Sequence, residues 1–449
     1  MMVDYPLTPF HLQILERAVQ YGEITLCSPF DITAPLGESI LVVLPNSRWY
    51  PVLFLGAALI GCPLSGINQD STAGSDEIRY YANQSGAIFV FCSEEKYHQF
   101  SDAVLLPRNL PLWDCNLPNL FEGIRHEPDD TLLMPFSSGT GGKPRCVLLT
   151  HRNYSAATAI LKMALFDQLV VESQRKTIAL LPFYHASGFW ALLYCLLEGC
   201  HSIILESFHP ISMLEIIHKY KVDTLNVVPS ILSFLCRMKT DGYDLSSVRT
   251  VLCGSSPLGK ELCSCFLEKF PSVQNLIQGY GMTEIVVLSH ITPLGLIDEK
   301  HLGSCGKLLP GFEAEVSELF LKSPTVMSGY YMDGSKLVSH LSTLRDILYY
   351  DEDGYYYVVD RVKDLIKVNG MQVSPSELED VILTDPWVRE VAVIGTEHPK
   401  CGQVPKAFVV LEEGVNQDVA KNRIISLVKG LWLIFSKRFY VSIYYYYCY

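Results

Sequence analysis

Residues Thr131–Thr150 read TLLMPFSSGTGGKPRCVLLT. An apolar strand runs directly into Ser137-Ser138-Gly139-Thr140-Gly141-Gly142-Lys143, and Pro144 ends the run. Small hydroxyls and glycines let backbone N–H groups come close to a phosphate, and a lysine adds counter-charge. The segment is not a Walker loop, because Pro144 follows Gly142-Lys143 where that motif needs Ser or Thr. On its own, a Ser/Gly/Thr loop is equally readable as a plain flexible connection.

The sequence on either side gives this strand its setting. Ser39–Leu44 (SILVVL), Ala87–Cys92 (AIFVFC), Ile178–Leu181 and Ser202–Leu205 are apolar at nearly every position. Strands buried on both faces read this way, and a parallel sheet covered by helices is the usual cause. Between them Asn153–Phe166, Ile211–Tyr220 and Gly259–Phe270 carry apolar residues at helical spacing. The expected fold class is therefore α/β, with a large multi-layer α/β N-terminal domain. After Pro310 the texture changes. Asp353-Gly354 between tyrosine-rich alternating runs predicts a hairpin with an Asp-Gly turn. Asp351–Gly354 lacks the alternate-residue ligand spacing of a calcium loop. A smaller α+β domain is expected from Arg361 onward. Ser374-Pro375-Ser376-Glu377 predicts a helix start, with Ser at the N-cap, Pro at N1 and a capping box with Glu377. Strands at Glu390–Gly395 and Lys406–Leu411 follow.

A chain of 449 residues with 49% hydrophobic content can build more than one buried core, so disorder is not expected to dominate. Its net charge of -13 and lack of a basic block exclude a nucleic-acid partner. The fourteen cysteines are scattered, with Cys263 and Cys265 the nearest approach to a motif, which fits thiols in a reducing compartment. Met1–Phe10 lacks the pattern of a secretory signal. No transmembrane segment is expected: Ile424–Tyr449, the most apolar window, is interrupted by Lys429, Lys437 and Arg438.

Three more segments can carry chemistry. Leu180–Trp190 (LLPFYHASGFW) places His185 just past a buried strand, where open α/β sheets hold ligands. Gln278–Glu284 (QGYGMTE) flanks Tyr280 with Gly279 and Gly281, then gives Met282, Thr283 and Glu284. Val358–Gly370 (VVDRVKDLIKVNG) mixes strand residues with charge. Each has a bland alternative: a structural histidine, a capped turn, a solvated strand.

Together, in this order and separation, the four segments resemble the adenylate-forming superfamily that includes firefly luciferase, coumarate–CoA ligases and fatty acyl-CoA synthetases. Asn46–Asn68 (NSRWYPVLFLGAALIGCPLSGIN) and Ser374–Asp380 (SPSELED) resemble it too, and the likeness runs from about Pro6 to Gly430.

The resemblance implies an ATP-dependent acid–CoA ligase that forms an acyl-adenylate and then a thioester, using ATP, Mg²⁺ and CoA. Ser137, Ser138, Gly139, Thr140, Gly141, Gly142 and Lys143, with Arg145 beside them, would wrap the β- and γ-phosphates. Thr283 would meet the α-phosphate and Glu284 would hold Mg²⁺. Tyr280, within Gly279–Met282, would stack on adenine next to Ser255 and Ser256. Asp346 and Arg361 would bind ribose, and His185 would orient the carboxylate or gate its tunnel. Lys363 falls at the hinge, and Lys367 would serve the thioester step. YHASGFW has no aspartate for an amino group, and Ile285–Leu288 is apolar. An aromatic or aliphatic carboxylic acid is therefore the expected substrate.

The chain also departs from the family pattern. Gly141, Arg145 and Cys146 replace a threonine, a lysine and a glycine, and Leu344-Arg345-Asp346 replaces Thr-Gly-Asp. The pattern is shortened between Asp31 and Glu38 and between Val316 and Ser317. No Gly-Lys follows Gly370, and likeness ends near Gly430, so the expected small domain (361–449, after a 1–360 adenylation domain) is incomplete. The tyrosine run Tyr444–Tyr447 reads as translated non-coding sequence. The rival expectation is a catalytically impaired relative that binds nucleotide or a partner. The chain ends without a Ser-Lys-Leu type signal, so the expected location is cytoplasmic.

Overall fold

The computed structural model describes residues 3–21, 38–68, 75–93, 126–137, 144–169, 175–295, 297–315, 319–332, 335–338, 342–343, 346–361, 364–368, 371–398, 402–431 and 440–444. The chain divides into two compact units. The first takes in Met1–Leu258, Leu262–Ala314 and Leu321–Ser342; the second gathers Gly259–Glu261, Glu315–Phe320 and Thr343–Tyr449. The hairpin ahead of residue 361 thus groups with the second unit.

Two large sheets build the first unit. One has eight strands, in the path Ser335–Val338, Gly329–Met332, Arg145–Thr150, Thr131–Leu133, Leu64–Gly66, Ser39–Val43, Ala87–Cys92, with Phe136–Ser137 paired to Arg145–Cys146. The second has seven: Lys307–Leu308, His290–Ile291, Asn275–Tyr280, Thr250–Cys253, Thr224–Val227, Lys176–Ala179, His201–Ile204. Its last five run parallel. Helices Pro210–Tyr220, Pro229–Arg237 and Lys260–Lys269 bury Met213, Leu214, Leu232, Leu235 and Phe266 against the strand residues Ile178, Leu225 and Val251. Continuous apolar strands are what such two-sided cover requires. Ser39–Val43 is buried at every position, whereas His201–Ile204 is only half-covered because it lies at the sheet edge.

In the second unit Ile366–Val368, Met371–Val373, Gly402–Leu411 and Val388–His398 form one sheet, with Pro375–Leu383 and Gln417–Leu431 supplying Leu378, Ile382, Ile424 and Val428 to its core. Ser374 caps the first helix by accepting from the Glu377 N–H at 3.1 Å. Its hydroxyl also donates to Asp360 at 2.7 Å, so of the expected box only the Ser374 half is seen, and the cap is tied to the Asp360 carboxylate. Tyr440–Tyr444, from the tyrosine-rich tail, pairs parallel with Lys406–Val410 and extends this sheet.

The hairpin Asp346–Tyr350/Tyr356–Arg361 forms as expected, but its turn is longer than two residues. Gly354 takes φ +77° and donates to the Asp351 carbonyl, and the Asp351 carboxylate accepts from the Asp353 and Tyr355 N–H groups. A three-residue loop with glycine in the left-handed position explains the motif, with Asp351 as its anchor. Among the described residues no helix is long and apolar enough to cross a membrane. Cys263 and Cys265 sit on one helix, the first buried and the second exposed, so their spacing separates the thiols rather than joining them.

Candidate active site

The parallel strands 176–179, 224–227, 250–253 and 275–280 are neighbours in one sheet, so the loops after them leave the same edge. Ligands of open α/β sheets gather there, beyond the carboxyl ends of the strands. His185 follows the first of these strands, Ser255–Ser256 the third and Gly281–Leu288 the fourth.

The last of these loops is tightly folded. Thr283–Ile285 makes one 3₁₀ turn, and the chain returns at His290 to pair antiparallel with Tyr280. A Cβ on Gly281 would lie 1.7 Å from the Val287 carbonyl oxygen, so no side chain fits there. Val286 and Val287 carry φ of 50° and 85°, left-handed values that cost a β-branched residue about 1–3 kcal/mol each. The loop thus holds Met282–Glu284 in place at some strain. Across the strand pair, Gly254 fits its neighbour tightly, though with more room: a Cβ would stand 3.1 Å from the Gly279 carbonyl oxygen. Ser255 after it has φ 73°, and Ser255 and Ser256 are exposed beside Gly279–Tyr280. The Tyr280 ring meets His290 edge-on at 5.6 Å.

Glu284 is 6% exposed, an unusual position for a carboxylate. The Tyr330 hydroxyl donates to its Oε1 at 3.1 Å, and the Arg145 guanidinium lies 5.5 Å over the Tyr330 ring. Burial pushes the Tyr330 phenol up, and the Glu284 charge adds to that shift. The 283–285 turn packs on strands 136–137 and 145–150. Ser137, the base of the Ser/Gly/Thr loop, therefore belongs to the same cluster, opposite Arg145 in the pairing. Its hydroxyl is buried with no hydrogen-bond partner. Ser138, Gly139, Thr140, Gly141, Gly142 and Lys143 lie outside the described residues.

His185 caps the helix Ala186–Leu197. Its Nδ1 accepts from the Ser187 N–H at 3.3 Å and lies 2.8 Å from the Ser187 hydroxyl. The turn ahead of it is held by Asn46, whose amide donates to the Leu180 and Leu181 carbonyls (3.3 and 3.0 Å) and accepts from the Phe183 N–H at 2.8 Å. Gly188 is required because a Cβ would meet the Pro182 carbonyl oxygen at 2.2 Å.

Asp346 and Arg361 are register partners in the backbone of the second unit's hairpin, with Asp346 buried. Lys367 is exposed between buried Ile366 and Val368, and its N–H donates to Gln403. Lys363 lies outside the described residues.

The family model for AMP-binding enzymes matches residues 35–331, and that for the AMP-binding enzyme C-terminal domain matches residues 377–431. The chain belongs to the AMP-binding enzyme family. Among its relatives is the peroxisomal OPC-8:0-CoA ligase 1 of Arabidopsis thaliana, 32% identical over 84% of this chain and 75% of that protein. The probable 4-coumarate–CoA ligase 3 of Dictyostelium discoideum is 34% identical over 87% and 79%. In fold it matches ATP-bound MatB from Rhodopseudomonas palustris with a TM-score of 0.76 at 21% identity, covering 97% of this chain and 88% of that one.

Two residues of this AMP-binding enzyme escape motif reading. Asn46 begins the segment NSRWYP, and Tyr330 sits in an ordinary strand, Gly329–Met332. The one signal available is chemical. An asparagine followed by aromatic and apolar residues is costly to bury without partners, and it finds them in backbone groups far along the chain.

Proposed function

We propose that this AMP-binding enzyme is an ATP-dependent acid–CoA ligase: the carboxylate attacks the α-phosphorus of ATP, pyrophosphate leaves, and CoA thiolate displaces AMP from the acyl-adenylate. The observation that carries the reading is the cluster of Glu284, Tyr330, Arg145 and Ser137 beside the Gly279–Gly281 turn and the Ser255–Ser256 loop. It offers a buried carboxylate on a strained turn, and a cation and an unsatisfied hydroxyl on the strands packed against that turn, which is how phosphate chemistry is positioned. The named relatives, both CoA ligases by name, support the same reading.

The donor set fits Mg²⁺. Glu284 is a hard oxygen ligand already oriented by Tyr330, and Ser137 brings a second buried oxygen to the cluster. The bound ion would supply neutralisation of the leaving pyrophosphate. Ser137–Lys143 and Arg145 would contact the β- and γ-phosphates, and Thr283 the α-phosphate. Tyr280 would stack on adenine, with Met282 and the Ser255–Ser256 backbone beside it. His185 would orient the acid's carboxylate or gate its tunnel. Asp346 and Arg361 would hold ribose, Lys363 would serve as hinge of a small domain spanning 361–449, and Lys367 would serve the thioester step.

For the acid we propose an aromatic or aliphatic chain. The His185 turn contains no carboxylate to bind an amino group, and Ile285 and Val286 are fully buried apolar residues behind Glu284. The deciding experiment is ATP–pyrophosphate exchange with hydroxycinnamic, benzoic and C8–C16 aliphatic acids, followed by thioester detection with CoA. Exchange with one of these classes and not with amino acids is expected. AMP binding without exchange for any acid marks a binding-only relative instead.

A further inference from the structure

Helix Ala186–Leu197 ends in a way that brings two thiols together. Its C-cap is Glu198, and Gly199 follows at φ +65°, the left-handed position that closes such ends. The Cys200 N–H then donates to the Cys195 carbonyl at 2.9 Å, the long-range bond of a Schellman end. In that motif the two bonded residues also touch through their side chains, and the contact is ordinarily apolar. Here both are cysteine, and the two thiols hydrogen-bond to each other. Both are free, with Cys195 8% exposed and Cys200 half-buried. The Arg175 side chain, whose guanidinium lies 5.4 Å over the Phe166 ring, brings positive charge to the pair.

We propose that Cys195 and Cys200 are a redox-modification site, oxidised by a peroxide to an intramolecular disulfide and restored by small thiols. The roles follow from access and charge. The hydrogen bond from Cys195 and the Arg175 charge hold the Cys200 thiol below its ordinary range, whereas the same bond and burial push Cys195 up. Cys200 as thiolate attacks one oxygen of the peroxide. An S–O bond forms, the O–O bond breaks, and the departing hydroxide leaves as water after taking a proton. Cys195 sulfur then attacks the sulfenic sulfur; the S–S bond forms, the S–O bond breaks, and the second water carries away the Cys195 proton. Two thiols lose two electrons and one peroxide becomes two waters. The backbone bond between the partners keeps the two residues adjacent, as bridging them requires.

Trypsin releases residues 177–219 as one peptide, with Cys195 and Cys200 its only cysteines. The full chain is treated with hydrogen peroxide, alkylated under denaturing conditions and digested. The expected peptide is unalkylated and about 2 Da lighter than the reduced form, for the two hydrogens lost. Dithiothreitol should return it to the doubly alkylated form. With Cys195→Ser, dimedone should trap a sulfenic acid on Cys200, and with Cys200→Ser the adduct should vanish from this peptide. A peptide still doubly alkylated after peroxide, while Cys265 elsewhere is oxidised, overturns the proposal. So does oxidation that stops at an irreversible acid on Cys200 in the unmutated chain.

Discussion

Asn46 satisfies both carbonyls and the N–H of the turn that precedes His185, across a sequence separation of 134 to 137 residues. Asn46→Ala leaves the buried Phe183 N–H without its acceptor, a loss of about 1–3 kcal/mol. Urea unfolding should show it, together with slower exchange at saturating ATP as the His185 turn loosens; unchanged stability and rate would reduce Asn46 to decoration. Glu284 and Tyr330 form the second residue-scale test. If Glu284 holds the metal, Glu284→Gln should weaken Mg-ATP binding far more than AMP binding, because AMP lacks the bridged phosphates. Tyr330→Phe removes the oriented hydroxyl and keeps the ring, so it should move the same ratio in the same direction by a smaller factor. Calorimetry with both ligands reads the ratio, and equal losses for ATP and AMP make Glu284 a structural residue. The sequence makes Glu284 and Tyr280 visible because glycines crowd around them. It hides Asn46 and Tyr330, since nothing local to either residue points to a partner more than forty positions away.

At the scale of elements, the parallel strands were readable because burial on both faces demands apolar residues throughout. Strand ends were not: Ile178–Leu181 is observed as Lys176–Ala179, because the chain leaves the sheet before Leu181, whose carbonyl Asn46 takes up. The Asp-Gly hairpin was legible as a hairpin, while its turn depends on Asp351, which the Asp-Gly pair does not reveal. The docking of the N-terminal helix was invisible in sequence. Phe10–Tyr21 lies against His151–Ala164, with Phe10 against the Tyr154 ring at 5.4 Å and its N–H donating to His151 Nδ1. Three imidazoles meet at this junction: His11 lies 4.6 Å from His126 and 5.0 Å from His151. Burial, reinforced by the other two rings, lowers His11 to about 2; burial, with His126 adding and Asp130 opposing, lowers His151 to about 4. Both rings stay neutral in the fold, whereas the unfolded chain protonates them near pH 6.5. The stability they permit is complete above that pH and is lost as pH falls through 6.5, by up to ~1.4 kcal/mol per pH unit per ring. The decline for His151 ends near pH 4, and that for His11 continues below it. Unfolding free energy between pH 7.5 and 5.0 should therefore fall steeply, and more gently in His11→Leu. Parallel slopes for the two proteins would place the acid sensitivity elsewhere.

At the scale of the whole molecule, the proposed site residues divide between the compact units. Ser137, Arg145, His185, Ser255, Tyr280, Thr283, Glu284 and Tyr330 lie in the first; Asp346, Arg361 and Lys367 lie in the second. Such a division suits a two-step reaction in which the groups around phosphate serve the first step and an exposed lysine on the smaller unit serves the second. Lys367 occupies an exposed position in a strand otherwise buried, and its backbone is tied to Gln403, so the side chain can be removed without disturbing the core. Lys367→Ala should leave ATP–pyrophosphate exchange within about twofold of the unmutated chain, because the proposed role of Lys367 is confined to the second step. Thioester formation from a pre-formed acyl-adenylate and CoA should fall by ~10²–10³, the usual effect of losing one positioned donor. Lys367→Arg keeps charge without ammonium geometry and should recover part of that loss. Equal losses in exchange and thioester formation would mean that Lys367 acts on folding or on both steps, and the proposed division of labour would fail. Loss of exchange alone would place the lysine with adenylation, leaving the thioester step to another residue of the second unit.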